Sequence, residues 1–328
     1  GSNTLVACGS SGPLALDNQQ DGYRALYNPM AYETVNYFAG SFWFAHPLTS
    51  CVRDRVTGLV WEGKTASGDR RGSRTFTNLG SGAADDVSGY VAAVNASNLC
   101  GFNDWRVPTL LEMTTLQQLG RATTPRIDTT WFPNTANSYH WTSDLYAGNT
   151  SFAWMSIASV DDMANFLLRN QSYPVRLVRG SMAQPTPRYS FSTAAYGSDA
   201  ANNLVNDGWT GLQWRRCLEG QVWSGSTCTG SPTYFTHEQA LAHDGHVSLD
   251  RWRMPHAKEL DSIVDRSRAA SPLINMTAFP GGTADGVWST TPYVANPSTA
   301  YMVRFGTSGA ADAATRTALG AVRLVYLP

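Results

Sequence analysis

Histidines, paired aspartates and an arginine-rich run are the places where this chain could do chemistry. Of six histidines (His46, His140, His237, His243, His246 and His256), three fall close together as His237-x5-His243-x2-His246. Imidazoles at such spacings can share a metal ion, but the segment between the first two reads as helix and, apart from Asp244, no carboxylate or cysteine stands nearby at ligand spacing. Asp85-Asp86 and Asp161-Asp162 raise the question of glycoside cleavage, which needs two carboxyl groups facing each other across a substrate. Adjacent residues on a strand point to opposite faces, so a helix start and a solvated loop account for the pairs better. Asp161, Asp162, Asn165 and Asn170 offer hard oxygens on one stretch, which makes a loop calcium the alternative to no cofactor at all. Arg70, Arg71 and Arg74 sit in a Gly/Ser/Asp-rich run that reads as a solvated loop or as a small anion site. The chain has no phosphate loop, no Gly-x-Ser-x-Gly and no His-Glu-x-x-His. With no nucleophile or acid/base set to assemble, binding is expected rather than catalysis.

The elements that would position these residues come in two copies. Asp104-Trp105-Arg106-Val107-Pro108-Thr109 recurs as Arg251-Trp252-Arg253-Met254-Pro255-His256. Thr109 stands three residues before Glu112, the spacing of a capping box, and Leu110, Met113 and Leu116 follow at helical intervals. Trp-Arg-x-Pro therefore predicts a core plug and a chain turn, with the arginine pairing a carboxylate or loop carbonyls. An offset of 147 residues carries Trp105 onto Trp252, Glu112 onto Glu259, Phe132-Pro133 onto Phe279-Pro280 and Val175-Arg176-Leu177-Val178 onto Val322-Arg323-Leu324-Val325. Upstream, Thr57-Gly58-Leu59-x-Trp61 matches Thr210-Gly211-Leu212-x-Trp214. A helix is predicted from about Asp85 to Asn98, and short strands around Trp141, from Phe152 to Ala158 and from Pro174 to Arg179. The copies disagree over Asn134–His140 against Gly281–Val287, and over Ser159–Asn165 against Gly306–Asp312. Unequal loops on an equal frame are where binding is expected.

Charged residues are 15% of the 328-residue chain and the formal net charge is -1, which argues against the dense basic footprint of nucleic-acid binding. No apolar run reaches the length of a membrane span. Gly1-Ser2 reads as an expression remnant, so a native signal or anchor is expected to be missing. Of five cysteines, Cys217 and Cys228 flank a Gly/Ser-rich turn and suit a hairpin disulfide, and Cys51 with Cys100 is the next pair. Buried free thiols are the alternative; disulfides imply an oxidising compartment. Cys8 is left over, with a partner lost upstream or, within Leu5-Val6-Ala7-Cys8, a lipoprotein cleavage box.

Thr-Gly-Leu-x-Trp, Cys-Gly-x-x-Asp-Trp-Arg-x-Pro-Thr-x-x-Glu, Ile-Asp-Thr-Thr-x-Phe-Pro, Trp-Thr-Ser and Val-Arg-Leu-Val-Arg-Gly, in that order, resemble the bacterial Lcl C-terminal-domain family. The resemblance covers about 51–180 and again about 205–327. It implies an α+β fold of the C-type lectin-like superfamily in two tandem modules, each a mixed, mostly antiparallel sheet with two helices and long loops. It also implies export, on lipoproteins, pilin-like proteins or adhesins. The adhesin that names the family binds sulfated polysaccharide, a property not transferable to a chain without a basic balance. Module two departs from the pattern at Arg251, at His256 and at Val247, which stands where Cys100 would have its counterpart. Its capping and disulfides are expected to differ.

The organisation expected is an N-terminal segment over 1–50 packed on module one, module one over 51–182, a linker over 183–188 and module two over 189–328. The function expected is an extracellular adhesin or pilus-associated binding protein of a bacterial surface. Its partner would be a glycan or a host or bacterial surface protein, recognised through Tyr139, His140, Asp144, Tyr146, Asn149, Asp161, Asp162 and Asn165 in module one and Tyr293 and Asn296 in module two. The alternative is a structural or assembly subunit of a pilus or envelope complex with no soluble ligand, favoured by exposed aromatic residues over 37–44.

Overall fold

Each module opens with the same tight turn. Asp54 accepts from the amide of Val56 (2.9 Å) and the hydroxyl of Thr57 (2.8 Å), and Gly58 takes the left-handed conformation, at φ 75°, that a side chain resists. Asp207 repeats this with the Trp209 amide (3.1 Å), the Thr210 hydroxyl (3.0 Å) and Gly211 at φ 72°. These turns close the hairpins Cys51–Asp54/Val60–Glu62 and Leu204–Asp207/Gln213–Arg215 of the structure, a computed structural model that describes residues 30–158, 163–193, 203–243, 252–306 and 309–326. Two compact units emerge, one from Met30 to Ala183 and one from Gln184 onward.

In the first unit a four-stranded sheet runs in the order Tyr32–Thr34, Cys51–Asp54, Val60–Glu62, Val178–Arg179. A three-stranded sheet follows, of Tyr139–Leu145, Phe152–Ile157 and Ala164–Leu168. The second unit has the equivalents: Tyr189–Ser192, Leu204–Asp207, Gln213–Arg215, Val325–Tyr326 and Trp252–Arg253 in one sheet, and Gly286–Pro292, Thr299–Arg304 and Ala311–Thr315 in the other. A short ribbon, Val222–Trp223 with Cys228–Thr229, is added. Among the described residues every strand pair is antiparallel; parallel contacts are isolated bridges such as Thr65 with Arg71. With two helices described in each unit, the architecture is α+β in two tandem modules.

Helix α1 (Val87–Ala96) starts at Asp86, whose carboxylate accepts from the Ser88 amide, and buries Val87, Tyr90 and Val94. Helix α2 (Leu110–Leu116) carries the full capping box of Thr109 and Glu112. In module two, helix α3 (His237–Leu241) starts at a second capping box, Thr236 with Gln239. Helix α4 (Ala257–Ser262) follows, where Glu259 accepts from the His256 amide at 2.8 Å as Glu112 does from Thr109. The carboxylate arm of the cap is thus kept in module two despite the change to His256. Tryptophans fill both cores: Trp61, Trp105, Trp141 and Trp154 in module one, Trp214 and Trp288 in module two. Disulfides join Cys51 to Cys100 and Cys217 to Cys228.

Three expectations need correction. Tyr32–Thr34 belongs to module one's own sheet, in the register that Tyr189–Ser192 keeps in module two, so the module begins upstream of residue 51. The aromatic run 37–44 does not pack onto the module: it forms a hairpin, Asn36–Ala39 with Phe42–Ala45, whose residues are exposed throughout. The segment 183–188 is not a free linker, because Arg188 grips buried Asp207 through two hydrogen bonds (2.8 and 2.6 Å) and the Trp209 indole donates to the Pro185 carbonyl. Cys8 and the rest of 1–29 lie outside the described residues.

Candidate functional site

Trp-Arg-x-Pro is a joint between sheet and helix in both modules. The Arg106 guanidinium donates to both oxygens of Glu112 (2.8 and 2.5 Å) and to the Gly180 carbonyl (2.7 Å). Arg253 holds Glu259 in the same bidentate way (2.7 and 2.6 Å). The Pro108 and Pro255 carbonyls accept from Ser143 (2.8 Å) and Thr290 (2.9 Å), which register the helix start on the second sheet. The Trp141 indole donates to Phe76 O (2.7 Å) and the Trp288 indole to Phe235 O (2.9 Å). This frame is common to the two copies and presents no reactive group.

The three-stranded sheet of module one separates the candidate residues into two groups. Tyr139 and His140 stand at one end, opposite Ile157 and Ser156 and directly after the loop 131–138. Asp144, just before the Leu145–Ala153 pair, and Tyr146 and Asn149, just beyond it, stand at the other end, about 13 Å or more along the strand from His140. Asp161 and Asp162 lie outside the described residues. Asn165 is on the strand Ala164–Leu168, opposite Met155, and Asn170 lies past that strand's far end, so the oxygens read as one calcium loop are split.

Several candidates have structural partners instead of open surface. His140 is buried, with Nδ1 3.1 Å from the Ser138 carbonyl, and burial followed by Arg176 and Lys64 pushes its pKa down to about 3. Tyr139 meets Tyr173 edge-on at 5.8 Å. Asp144 caps helix α2 by accepting from the Leu110 amide at 2.5 Å, and Thr291 does the same for Ala257 at 3.0 Å in module two. Tyr146 stacks on Phe166 at 4.1 Å, and Tyr293 is buried edge-on to Tyr301 at 5.8 Å. Asn149 and Asn296 are exposed and each closes a turn, accepting from Ser151 and Ser298 at 3.0 Å. His140 and Tyr293 are therefore core residues, and Asn165 is a strand residue.

The histidine trio and the arginine run resolve similarly. His237 is buried with both nitrogens engaged, Nε2 with Ser289 O (3.0 Å) and Nδ1 with Arg316 (3.1 Å). His243 rests against Phe235, while Asp244 and His246 lie outside the described residues. Among the described residues no three His, Cys, Asp or Glu side chains converge as metal ligands. Arg70 donates to the Thr49 and Gly63 carbonyls, Arg71 to Gly68 O, and Arg74 to Asp69 and Ala84 O, so the run closes its own loop instead of offering an anion site.

What the two modules do not share is how their loop ends are held. In module one Glu62, fully buried, lies 2.8 Å from Lys64 Nζ and accepts from the Tyr90 hydroxyl and the Leu177 amide (3.0 Å). Arg176, also fully buried, donates to the Glu62 carbonyl (2.5 Å) and to the Thr135 hydroxyl (2.7 Å), which ties the loop 131–138 to the core. Burial lowers Lys64 to about 8 against the opposing pull of Glu62, and lowers Arg176 to about 10. Gly72 passes so close to the Asn134 carbonyl that a Cβ would sit 1.6 Å from it, and Asn134 bonds Lys64 O at 2.9 Å. Gln117 Nε2 reaches Ser156, Ile157 and Met163, at 2.8–3.1 Å, and so ties two neighbouring strands together.

Module two builds the same end with other chemistry. Arg323, the counterpart of Arg176, donates to the Arg215 and Arg216 carbonyls (2.9 and 2.7 Å), and burial lowers it to about 9. Cys217, bridged to Cys228, stands where module one has Lys64, and Val287 replaces His140. Arg216 holds the carbonyls of Thr277 and Ala278, and Arg266 with buried Asp261 reaches Gly309 O at 2.7 Å. Glu62, Lys64, Gln117 and Arg176 escaped the reading of the sequence. The one signal of the three charged residues was charge inside apolar runs, Trp61-Glu62-Gly63-Lys64 and Val175-Arg176-Leu177; Gln117 had none.

Residues 50–179 and 203–326 match the Lcl C-terminal domain. The chain belongs to that family. It holds two tandem copies of the Lcl C-terminal domain, each copy coinciding with one set of paired sheets. A comparison with curated proteins finds no match. The two disulfides fit an oxidising compartment, and no helix among the described residues is long and apolar enough to cross a membrane.

Proposed function

We propose that this tandem Lcl C-terminal protein is an exported binding protein of a bacterial surface, which recognises a glycan or a protein receptor through the loops at one end of its lectin-like modules. The observation that carries this reading is the contrast between a shared frame and unshared loop ends. Trp-Arg-x-Pro, its carboxylate and the indole anchors repeat in position and partner, whereas the loop ends are braced by an ion cluster in one module and by a disulfide and arginine–carbonyl contacts in the other. Rigidly braced loops of differing sequence are the usual seat of recognition on a constant scaffold. Buried Lys64 has its ammonium engaged by Glu62 and Tyr90, an arrangement that braces a loop and supports binding over catalysis. Two such surfaces on one chain raise avidity where both engage.

A glycan array probed with the full chain, with and without calcium, tests the proposal. Dose-dependent binding is expected, and exchanging Ala136–Ser138 for the module-two residues 283–285, which spares the braced Asn134 and Thr135, should abolish it while leaving the melting profile intact. Absence of glycan binding, together with no receptor recovered by surface crosslinking, would sink the reading. A structural subunit of a pilus or envelope complex is the second reading, and the exposed aromatic hairpin favours it.

A further inference from the structure

The hairpin Asn36–Ala39/Phe42–Ala45 is apolar on both faces. Its cross-strand pairs place Tyr37, Phe42 and Phe44 on one face and Phe38 and Trp43 on the other. All five are exposed, Phe42 at 70% and Trp43 at 71%. No Asp, Glu, Lys or Arg occurs from Val35 to Val52. The nearest charges are at the base, where Glu33 lies 3.5 Å from Arg53 and 3.7 Å from Arg55. Polarity therefore rises in steps along the ribbon. Ala39 and Phe42 flank the Gly40-Ser41 turn, Phe38 and Trp43 come next, then stacked Tyr37 and Phe44, then Asn36 and His46, and last the ion pairs.

We infer that this hairpin seats its tip in the interfacial layer of a phospholipid bilayer. Each face offers on the order of 300 Å² of exposed aromatic surface, against roughly 800 Å² per partner in a stable protein interface. A second copy or another protein laid on one face would also leave the opposite face in water. Sugar platforms combine rings with convergent polar groups, and beside the rings this ribbon has only Asn36, Ser41 and His46. A bilayer surrounds both faces without needing a cleft. The order from Phe at the tip through Trp and Tyr to a charged base follows the order from acyl chain through headgroup to water. Three residue steps from Ala45 to Phe42 span about 10 Å, the depth an interfacial segment reaches. The ribbon's open edges keep it at the headgroup boundary, where water can still satisfy them. The inference stands apart from the loop-end reading, since it uses none of the same residues.

Flotation of the full chain with phosphatidylcholine vesicles tests it. The wild-type chain is expected to float with these uncharged vesicles at low and at molar salt alike, because the contact is apolar. The double variant Phe42→Ser/Trp43→Ser should partition at least about tenfold less. Its melting profile, followed by tryptophan fluorescence of the buried indoles, should match wild type, since both side chains are exposed. Failure of the wild type to float, flotation that needs anionic lipid and vanishes at molar salt, or equal flotation of the variant would each overturn the inference. So would wild-type self-association, seen by sedimentation velocity and lost in the variant, with no vesicle binding.

Discussion

His140 and His237, one in each module, are held neutral inside the fold. Burial, then Arg176 and Lys64, pushes His140 down to about 3; burial, then Arg316, pushes His237 down to about 4. Released into an unfolded chain, both titrate near the ordinary value of about 6.5. The unfolded state therefore binds more protons than the folded one between these values. Stability from neutral histidine is complete above about pH 6.5 and is lost as the pH falls toward 4, at about 1.4 kcal/mol per pH unit for each module. Urea midpoints measured from pH 7 to 4.5 should fall accordingly. His237→Gln can donate to Ser289 O and accept from Arg316 without titrating, so it should flatten the decline of module two alone. A slope unchanged by that variant would assign the acid sensitivity to carboxylates. None of this was readable beforehand. His140 looks like a loop ligand in sequence because nothing local reveals that it is buried within reach of the Arg176 charge, 36 positions on.

At the scale of elements, α2 and α4 are held at their starts by a strand as well as by their own caps. Asp144 accepts from Leu110, and Thr291 accepts from Ala257. Asp144→Ala and Thr291→Val should each lower stability by about 1–2 kcal/mol, the ordinary value of a lost helix cap, read from chemical denaturation. No change would mean that the bidentate Arg106–Glu112 and Arg253–Glu259 pairs hold these helices unaided. Helix α2 was legible because Thr109-x-x-Glu112 and the spacing of Leu110, Met113 and Leu116 are local signals. The strand Ala164–Leu168 was not. Ala-Asn-Phe-Leu-Leu has no alternation, and it becomes a strand by pairing with Phe152–Ile157. The aromatic hairpin was visible as a run of large side chains, yet its exposure was not: apolar residues are expected inside, and only the position of neighbouring elements shows that none of the described residues covers them.

At the scale of the whole molecule, each unit has its own Trp-rich core and its own disulfide. Chains spanning 30–183 and 184–328 should each fold in isolation under oxidising conditions, giving one cooperative melt apiece. Cys51→Ser/Cys100→Ser should cost module one about 2–5 kcal/mol. Aggregation of either half would show that the modules are not separate folding units, and an unchanged midpoint in the cysteine variant would show that this disulfide does not stabilise module one. The duplication, its register, the helix caps, the Cys217–Cys228 pair and the structural use of Arg106 and Arg253 were all accessible from residue types and spacings, because each depends on neighbours a few positions apart or on one copy matching the other; Cys51–Cys100, 49 positions apart, followed as the next pair once Cys217 and Cys228 were joined. The brace beneath the loops was not. Glu62 meets Leu177 across 115 positions and Arg176 meets Thr135 across 41, and whether such charges are buried, paired or free depends on which distant segments the chain folds over them.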